Sequence, residues 1–328
     1  MASAPSQTNF QRLLRALTPT VRPRPIPRAY VEGWNKTWNP LGQPITQYYS
    51  LGDLWYSFEK WSACGTGTRI ENPGGEDVMH YFVPKLSAIQ IFTTKSLDKL
   101  RILKIKDIKD IDGLEAELWS DESDGEKSSG SPSNDSSNAW EVTADDWGND
   151  YEDPPLYRRN FRNLYFGAED TTSPYFRAPL FEKIFEATVQ YPGLMTLKST
   201  DLTPASWIAI SWYPIYQVAA HEVKDDMASP FLTFHTLSSF FIDAADVTAD
   251  AISLPPFGIA SYRLEGDIWF GSEQADYVKF YDLHRAADSW LKQVHFNHYD
   301  FKFFNKKADH DCNADCPCRR YGNYHKDF

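Results

Sequence analysis

From Asp201 to Tyr216 the chain reads Asp-Leu-Thr-Pro-Ala-Ser-Trp-Ile-Ala-Ile-Ser-Trp-Tyr-Pro-Ile-Tyr, a turn followed by its longest strand signal. Successive side chains of a strand point to opposite faces. Ile208, Ile210 and Trp212 therefore share one face, and Trp207, Ala209, Ser211 and Tyr213 the other. Large side chains on both faces do not suit a strand with one wet side; they require a sheet covered on both. Pro214 has no amide proton to give to a ladder, so regular pairing must stop or bulge there. The residue types of this stretch are those of packing and turn formation.

Partners for that strand recur along the chain. Strand patterns occupy Val78–Val83 and Leu86–Phe92, joined around Pro84-Lys85, and Phe231–Leu237. Another runs over Pro256–Leu264, with Asp267–Phe270 returning across Glu265-Gly266 as a hairpin. Helical stripes are carried by Phe10, Leu13, Leu14 and Leu17 behind a capping-box pattern at Thr8–Gln11, and by Leu54, Trp55, Phe58 and Trp61 with Asp53 as N-cap. A third consists of Leu180, Phe181, Ile184, Phe185 and Val189 behind Pro179, and the last long one spans about Ala275 to Val294. Lys95–Leu114, with an apolar residue at about every third position, reads as an amphipathic helix. Gly65-Thr-Gly67 lacks the Lys-Ser/Thr of a phosphate loop and stops a helix. Strands joined by short connections, with helices grouped before and after, define an α+β fold: a mainly antiparallel sheet flanked by helices. No internal repeat is present.

Charge divides the chain unevenly. Of its 45 acidic and 33 basic residues, 13 acids and one base (Lys127) lie between Glu115 and Asp153, and the remainder is balanced at 32 of each. The net charge of −12 therefore belongs to one serine-rich insert, residues 115–155, which cannot bury enough apolar surface to offset its ordering entropy and reads as disordered. Ser123, followed by Glu126, and Ser131, before Pro132, are phosphorylation candidates, each adding about −1.5 to −2 charge. Trp119, Trp140 and Trp147, spaced through the acids, have the form of docking motifs. A neutral body gives no electrostatic reason to bind nucleic acid, so the partners expected are other proteins. No apolar run approaches the roughly 20 residues of a membrane span. Before Glu32 the chain has five arginines and no acid. That pattern fits either a chloroplast-type leader or a docked helix followed by a proline-rich arm at Val21–Pro27.

Candidate chemistry is sparse. His235, on a strand face with Thr233, could act as a base only if a carboxylate such as Asp201 and a nucleophile such as Ser206 met it in space; a hydrolase-like enzyme or small-molecule binder would use those three. Otherwise His235 is a satisfied structural group, and Asp201 and Ser206 cap the Thr203-Pro204 turn. His298 and Asp300, past the last long helix, are expected to bond its end or the next turn. His310, Cys312, Cys316 and Cys318 suffice for tetrahedral zinc, although Cys-x3-Cys-x-Cys is not the common paired spacing; the other reading is a flexible tail (306–328) of oxidisable thiols. Cysteine usage, with Cys64 alone, is not a disulfide framework and points to a reducing compartment, cytoplasm or nucleus. There is no Gly-x-Ser-x-Gly, Walker loop, dinucleotide glycine motif or His-Glu-x-x-His.

An ordered set of blocks nevertheless has a counterpart. It runs through Asn9–Leu14 with Thr18–Val21, Leu51–Ser62, Tyr81–Gln90, Ser199–Trp207, Trp212–Tyr216, Phe231–Ser238, Phe257–Tyr262 and His298–Phe304. Over nearly its whole length the sequence resembles the plant family called domain of unknown function 789. It departs from the usual pattern at Thr200, where cysteine is common, at Tyr299, where proline is usual, and in its cysteine-bearing tail. The resemblance implies a plant source and one domain, residues 8–305, interrupted by the acidic insert. It also implies that Asn9–Val21 belongs to that domain. It brings no activity, ligand or catalytic set.

Overall fold

The computed structural model describes residues 7–31, 44–72, 77–93, 164–215 and 230–311, apart from five single positions (243, 263, 265, 272 and 273). In chain order its elements begin with α1 (Asn9–Ala16), β1 (Thr20–Val21), β2 (Arg24–Pro27), β3 (Ile45–Tyr48), α2 (Leu51–Cys64), β4 (Thr66–Ile70) and β5 (Val78–Phe92). After the insert come β6 (Leu164–Glu169), α3 (Leu180–Thr188), α4 (Gly193–Thr196), β7 (Trp207–Pro214) and β8 (Phe231–Thr236). The last are β9 (Ile252–Ser253), β10 (Gly258–Ala260), α5 (Asp267–Phe270), α6 (Gln274–Gln293) and α7 (Tyr299–Asp311).

The main sheet is antiparallel, in the order β10-β8-β7-β5-β4, with β6 also on β5. β7 is central; its last pair with β5 is Phe82↔Pro214, and Pro214 is accommodated because its nitrogen faces the other edge, Ile215 N still donating to Tyr81 O. Its two faces divide as its alternation dictates. Ile208, Ile210 and Trp212 join Phe82, Leu86, Phe231 and Ile259 in the core packed by α1, α2 and α3; Trp207 and Ala209 join Leu232, Phe234 and Ala260 in a second core with Ala287 and Leu291 of α6 and Phe301 and Phe304 of α7. α6 lies so close to β10 that a Cβ on Gly258 would come within 2.8 Å of the Ala287 Cβ, so glycine permits that approach. The fold is α+β with helices on both sides of the sheet. Among the described residues no helix is long and apolar enough to cross a membrane.

Several sequence expectations are corrected. Val78–Val83 and Leu86–Phe92 are one strand, and Pro84 lies inside it. Ile215 N donates to Tyr81 O, so alternate residues from Tyr81 bond toward β7, and Pro84 faces the opposite edge. Among the described residues no strand pairs with that edge there: β4 ends at Thr66↔Phe82, β6 starts at Ala88↔Glu169, and the bridge Lys85↔Pro179 lies between. A proline at an unpaired edge position loses no ladder bond. The register shift between Leu86 and Ala88 makes a bulge at Ser87, which switches the core-facing set from Phe82 and Leu86 to Ile89 and Ile91.

Asp267–Phe270 is a helical turn, not a returning strand. Gly266, at φ 78°, accepts from the amides of Trp269 and Phe270, and the chain coils where a hairpin would have extended it. The N-cap of α2 is Ser50; Asp53 is the third helical residue and completes a capping box. At α1 only half of the expected box forms. Thr8 accepts from Gln11 N, but the Gln11 amide reaches Asp276 of α6 at 3.0 Å, docking the first helix on α6. The long helix α6 is followed by another, α7, which runs to Asp311. Arg24–Pro27 is extended, as the arm reading expects, and pairs with β3. Finally, α3 buries Leu180 and Ile184 but leaves Phe185 54% and Val189 88% exposed.

Candidate functional site

The three residues singled out for hydrolytic chemistry have other bonds. Ser206 ends the turn before β7, and its hydroxyl accepts from Phe92 N and donates to Phe92 O, each at 3.0 Å, locking the end of β5 to the turn. Asp201 accepts from the amide of Lys198 at 3.3 Å, closing a 3-10 turn over Ser199–Asp201. His235 lies on β8 with both ring nitrogens engaged, 3.0 Å from Leu254 O and 3.0 Å from Thr233 Oγ1. A carbonyl can only accept, so Nδ1 carries the proton and Nε2 takes the Thr233 hydroxyl proton; Thr233 in turn accepts from Trp212 Nε1 at 2.8 Å. Donors and acceptors are matched from Trp212 to Leu254, and none of these bonds joins two of the three candidates. Burial pushes the His235 pKa down to about 4, so the ring is neutral near pH 7.

A larger polar cluster lies behind the other face of the sheet, at the bulge in β5. Arg177, from the segment between β6 and α3, forks onto Asp300 in the first turn of α7, Nη1 to Oδ2 at 2.5 Å and Nη2 to Oδ1 at 2.8 Å. Its Nε donates to Thr172 O at 3.0 Å, and Nη1 also reaches Ser211 Oγ of β7 at 3.3 Å. Asp170 Oδ1 stands 3.8 Å from Nε. Ser87, which faces away from Leu86 at the bulge, donates to Asp300 Oδ2 at 2.5 Å and lies 3.4 Å from His298 Nε2. Both charges are almost wholly out of water. Burial pushes the Asp300 carboxyl up, but the hydrogen bonds and charge of Arg177, with the Ser87 bond, outweigh it and hold the group below the usual carboxylate range. Lys85, 5.5 Å from the Tyr213 ring, is held below the usual lysine range by burial and by Arg177; burial pushes the Tyr213 phenol up to about 12.

Ser87, His298 and Asp300 have the composition of a catalytic triad in the wrong order. A triad places histidine between serine and carboxylate, with Nε2 free to take the serine proton. Here Ser87 stands in the middle and gives its proton to Asp300. His298 is the residue preceding α7, and its Nδ1 accepts from Phe301 N at 3.1 Å; the neutral ring therefore carries its proton on Nε2, directed at Ser87 Oγ. Burial pushes its pKa down to about 4 despite Asp300. The group has no basic nitrogen facing the hydroxyl, and its chemistry is that of a clamp joining β5, the Arg177 segment and α7. Glu169 extends the clamp by accepting from Tyr299 N at 2.7 Å. His298 thus does bond the turn that follows it, whereas Asp300 bonds Arg177 and Ser87 of β5. Arg177, Ser87 and Ser211 drew no attention in the sequence; a cation directly before the apolar run Ala178–Phe181 is the one available signal.

The other candidates fall elsewhere. Cys312, Cys316, Cys318, Ser123, Ser131 and the amphipathic stretch Lys95–Leu114 lie outside the described residues, as does the side chain of His310. Among the described residues no group of three or more His, Cys, Asp or Glu side chains is arranged to hold a metal ion.

An antiparallel sheet with helices on both faces and a buried polar clamp places the chain in the α+β class. The chain belongs to the family described as "Protein of unknown function (DUF789)", whose model matches residues 8–304. No curated protein and no solved structure matches it.

Proposed function

We propose that the chain is a non-catalytic protein-interaction module whose acidic, serine-rich insert tunes partner binding, with phosphorylation at Ser123 and Ser131 as the means and the cytoplasm or nucleus as the setting. The observation that carries this reading is the outer face of α3. Phe181, Phe185 and Val189 follow one another at four-residue steps, a second apolar stripe beside the buried Leu180 and Ile184. The Phe181 ring lies 6.0 Å from Phe185 and 5.7 Å from Tyr56 of α2, itself 53% exposed, so the aromatics form one patch across two helices. Isolated exposed apolar residues need no explanation, but a contiguous aromatic patch on a helix pair is the kind of surface to which an amphipathic partner helix adds.

The test is proximity labelling in cells with the full chain, comparing wild type, Phe185→Glu/Val189→Glu and a deletion of residues 115–153. The expected result is loss of a defined set of labelled proteins in the α3 variant and a changed yield of the same set in the deletion. A labelled set unchanged by the α3 variant would overturn the docking role, and one unchanged by the deletion would overturn the role given to the insert.

A further inference from the structure

The apolar stripe on α3 has a charged border. Glu182 and Glu186 follow Phe181 and Phe185 by one position each and are exposed along one side of the stripe. On the other side stands α2. Its face toward α3 and α4 is marked by Trp55, whose Nε1 donates to Leu194 O at 2.6 Å, and by Ser62, whose hydroxyl accepts from Phe181 N at 3.1 Å. Glu59, four residues after Trp55 and three before Ser62, shares that face and is exposed at its rim. Among the exposed side chains of α2 and α3 the charged ones are Glu59, Glu182, Glu186 and Lys60; Lys183 is half-buried, 4.0 Å from Glu186.

The insert joins the body at the same end of α3. Tyr191 N donates to Ala187 O at 2.9 Å, closing the helix, and the Tyr191 ring lies 5.1 Å from Phe166 and 6.1 Å from Tyr165 of β6. Gly193 N donates to the Tyr165 hydroxyl at 2.8 Å. Leu164, the residue before Tyr165, pairs with Phe92, so the 13 acids and one base between Glu115 and Asp153 are tethered beside the C-terminal end of the stripe.

We propose that the α3 stripe binds a basic amphipathic helix of a partner protein, with the acidic insert drawing it in. This rests on the docking role given to α3 above and names the chemistry of what docks. An apolar stripe takes the apolar face of such a helix, and the residues at its border meet the charged flanks. Three carboxylates against one exposed ammonium favour lysine and arginine there and repel an acidic helix. The charge of the insert acts at longer range: it raises the rate of encounter with a cation and is screened by salt. Within this chain the rival occupant is Lys95–Leu114. Its six bases are set against four acids, so it is nearly balanced where the border asks for net positive charge.

The test is equilibrium titration and stopped-flow mixing of the full chain with blocked, dye-labelled peptides of about 18 residues. One has leucine and lysine at amphipathic helical spacing, one leucine and glutamate at the same spacing, and one the leucine and lysine residues in scrambled order. At about 0.15 M salt the patterned lysine peptide is expected to bind about tenfold more tightly than either of the others. Phe185→Gln/Val189→Gln should weaken it about tenfold through faster dissociation. Glu182→Gln/Glu186→Gln and deletion of residues 115–153 should each slow association by about threefold to tenfold, an effect lost at about 1 M salt. All these changes are at exposed positions or in the insert, and the thermal midpoint of each variant checks its folding. Equal binding of the glutamate or scrambled peptide overturns the basic-helix assignment, and no effect of Phe185→Gln/Val189→Gln overturns the site. An association rate unchanged by the deletion overturns the part given to the insert. If deleting Lys95–Leu114 tightens binding by more than about tenfold, that segment is the occupant and the partner assignment falls. Partner labelling in cells that depends on α3, together with no preference for the lysine peptide, leaves the docking role standing and overturns the basic helix alone.

Discussion

Two buried histidines lie on opposite sides of the same sheet, and each is held neutral in a different way. His235 sits in a short relay of uncharged groups, Trp212 to Thr233 to His235 to Leu254, of which three belong to neighbouring positions of β7 and β8. His298 stands at the rim of a charged clamp whose members come from β5, the segment before α3, and α7. The first is a local solution, in which the sheet places each donor opposite its acceptor. The second holds distant parts of the chain together by an ion pair that has given up its hydration, so its contribution depends on every bond being present. A residue that looks catalytic by type can therefore be structural in either manner, and the direction of its hydrogen bonds tells which.

The comparison can be broken by removing one member from each side. Arg177→Ala leaves Asp300 buried without its partner and should destabilise the fold by about 3–5 kcal/mol. Arg177→Met/Asp300→Leu should be less damaging than that single change, because no charge is left unpaired. Urea denaturation of both variants gives the order, and a double variant as weak as the single one would show that packing, not charge, is the clamp's role.

Acid sharpens the contrast next. Both histidines have folded-state pKa values near 4 against an unfolded value near 6.5. Their stabilising effect is complete above about pH 6.5 and is lost as the pH falls toward 4, because the unfolded chain binds the protons. The slope approaches about 1.4 kcal/mol per pH unit for each ring, so His235→Gln and His298→Gln should each flatten the urea-midpoint profile by one proton. Thr233→Val, which removes the middle of the relay and leaves the Trp212 and His235 nitrogens without it, is expected to cost about 1–3 kcal/mol. At the other extreme, Phe185→Glu/Val189→Glu lies on an exposed face and should change the thermal midpoint by the equivalent of no more than about 0.5 kcal/mol. A large loss there would mean that α3 is covered in the free protein.

Much of the frame was legible because it is local. The face assignment of Trp207–Tyr213, the helix over Gln274–Gln293 and the α+β class follow from periodicity. Pro84 misled for the same reason: a missing amide reads as a strand break unless the neighbouring edge is known to be vacant. Glu265-Gly266 has hairpin composition, yet whether a chain turns or coils after a positive-φ glycine depends on what the next residues pack against. The clamp was hidden more deeply. Ser87 and Asp300 are 213 positions apart, and nothing in either neighbourhood marks them as partners. The exposure of Phe185 and Val189 was likewise beyond reach, since an apolar stripe in sequence does not say whether this chain or another covers it.

The pair Phe92↔Leu164 carries a consequence for how this family can vary. A chain that leaves a ladder and re-enters it on the adjacent rung closes its loop at one spot. The entropy of closing a flexible loop rises only with the logarithm of its length, about 0.6 kcal/mol for each doubling. The sheet therefore sets almost no limit on how many residues lie between positions 92 and 164, or on their kind. What the sheet asks of that connection is that its two ends meet at Phe92 and Leu164.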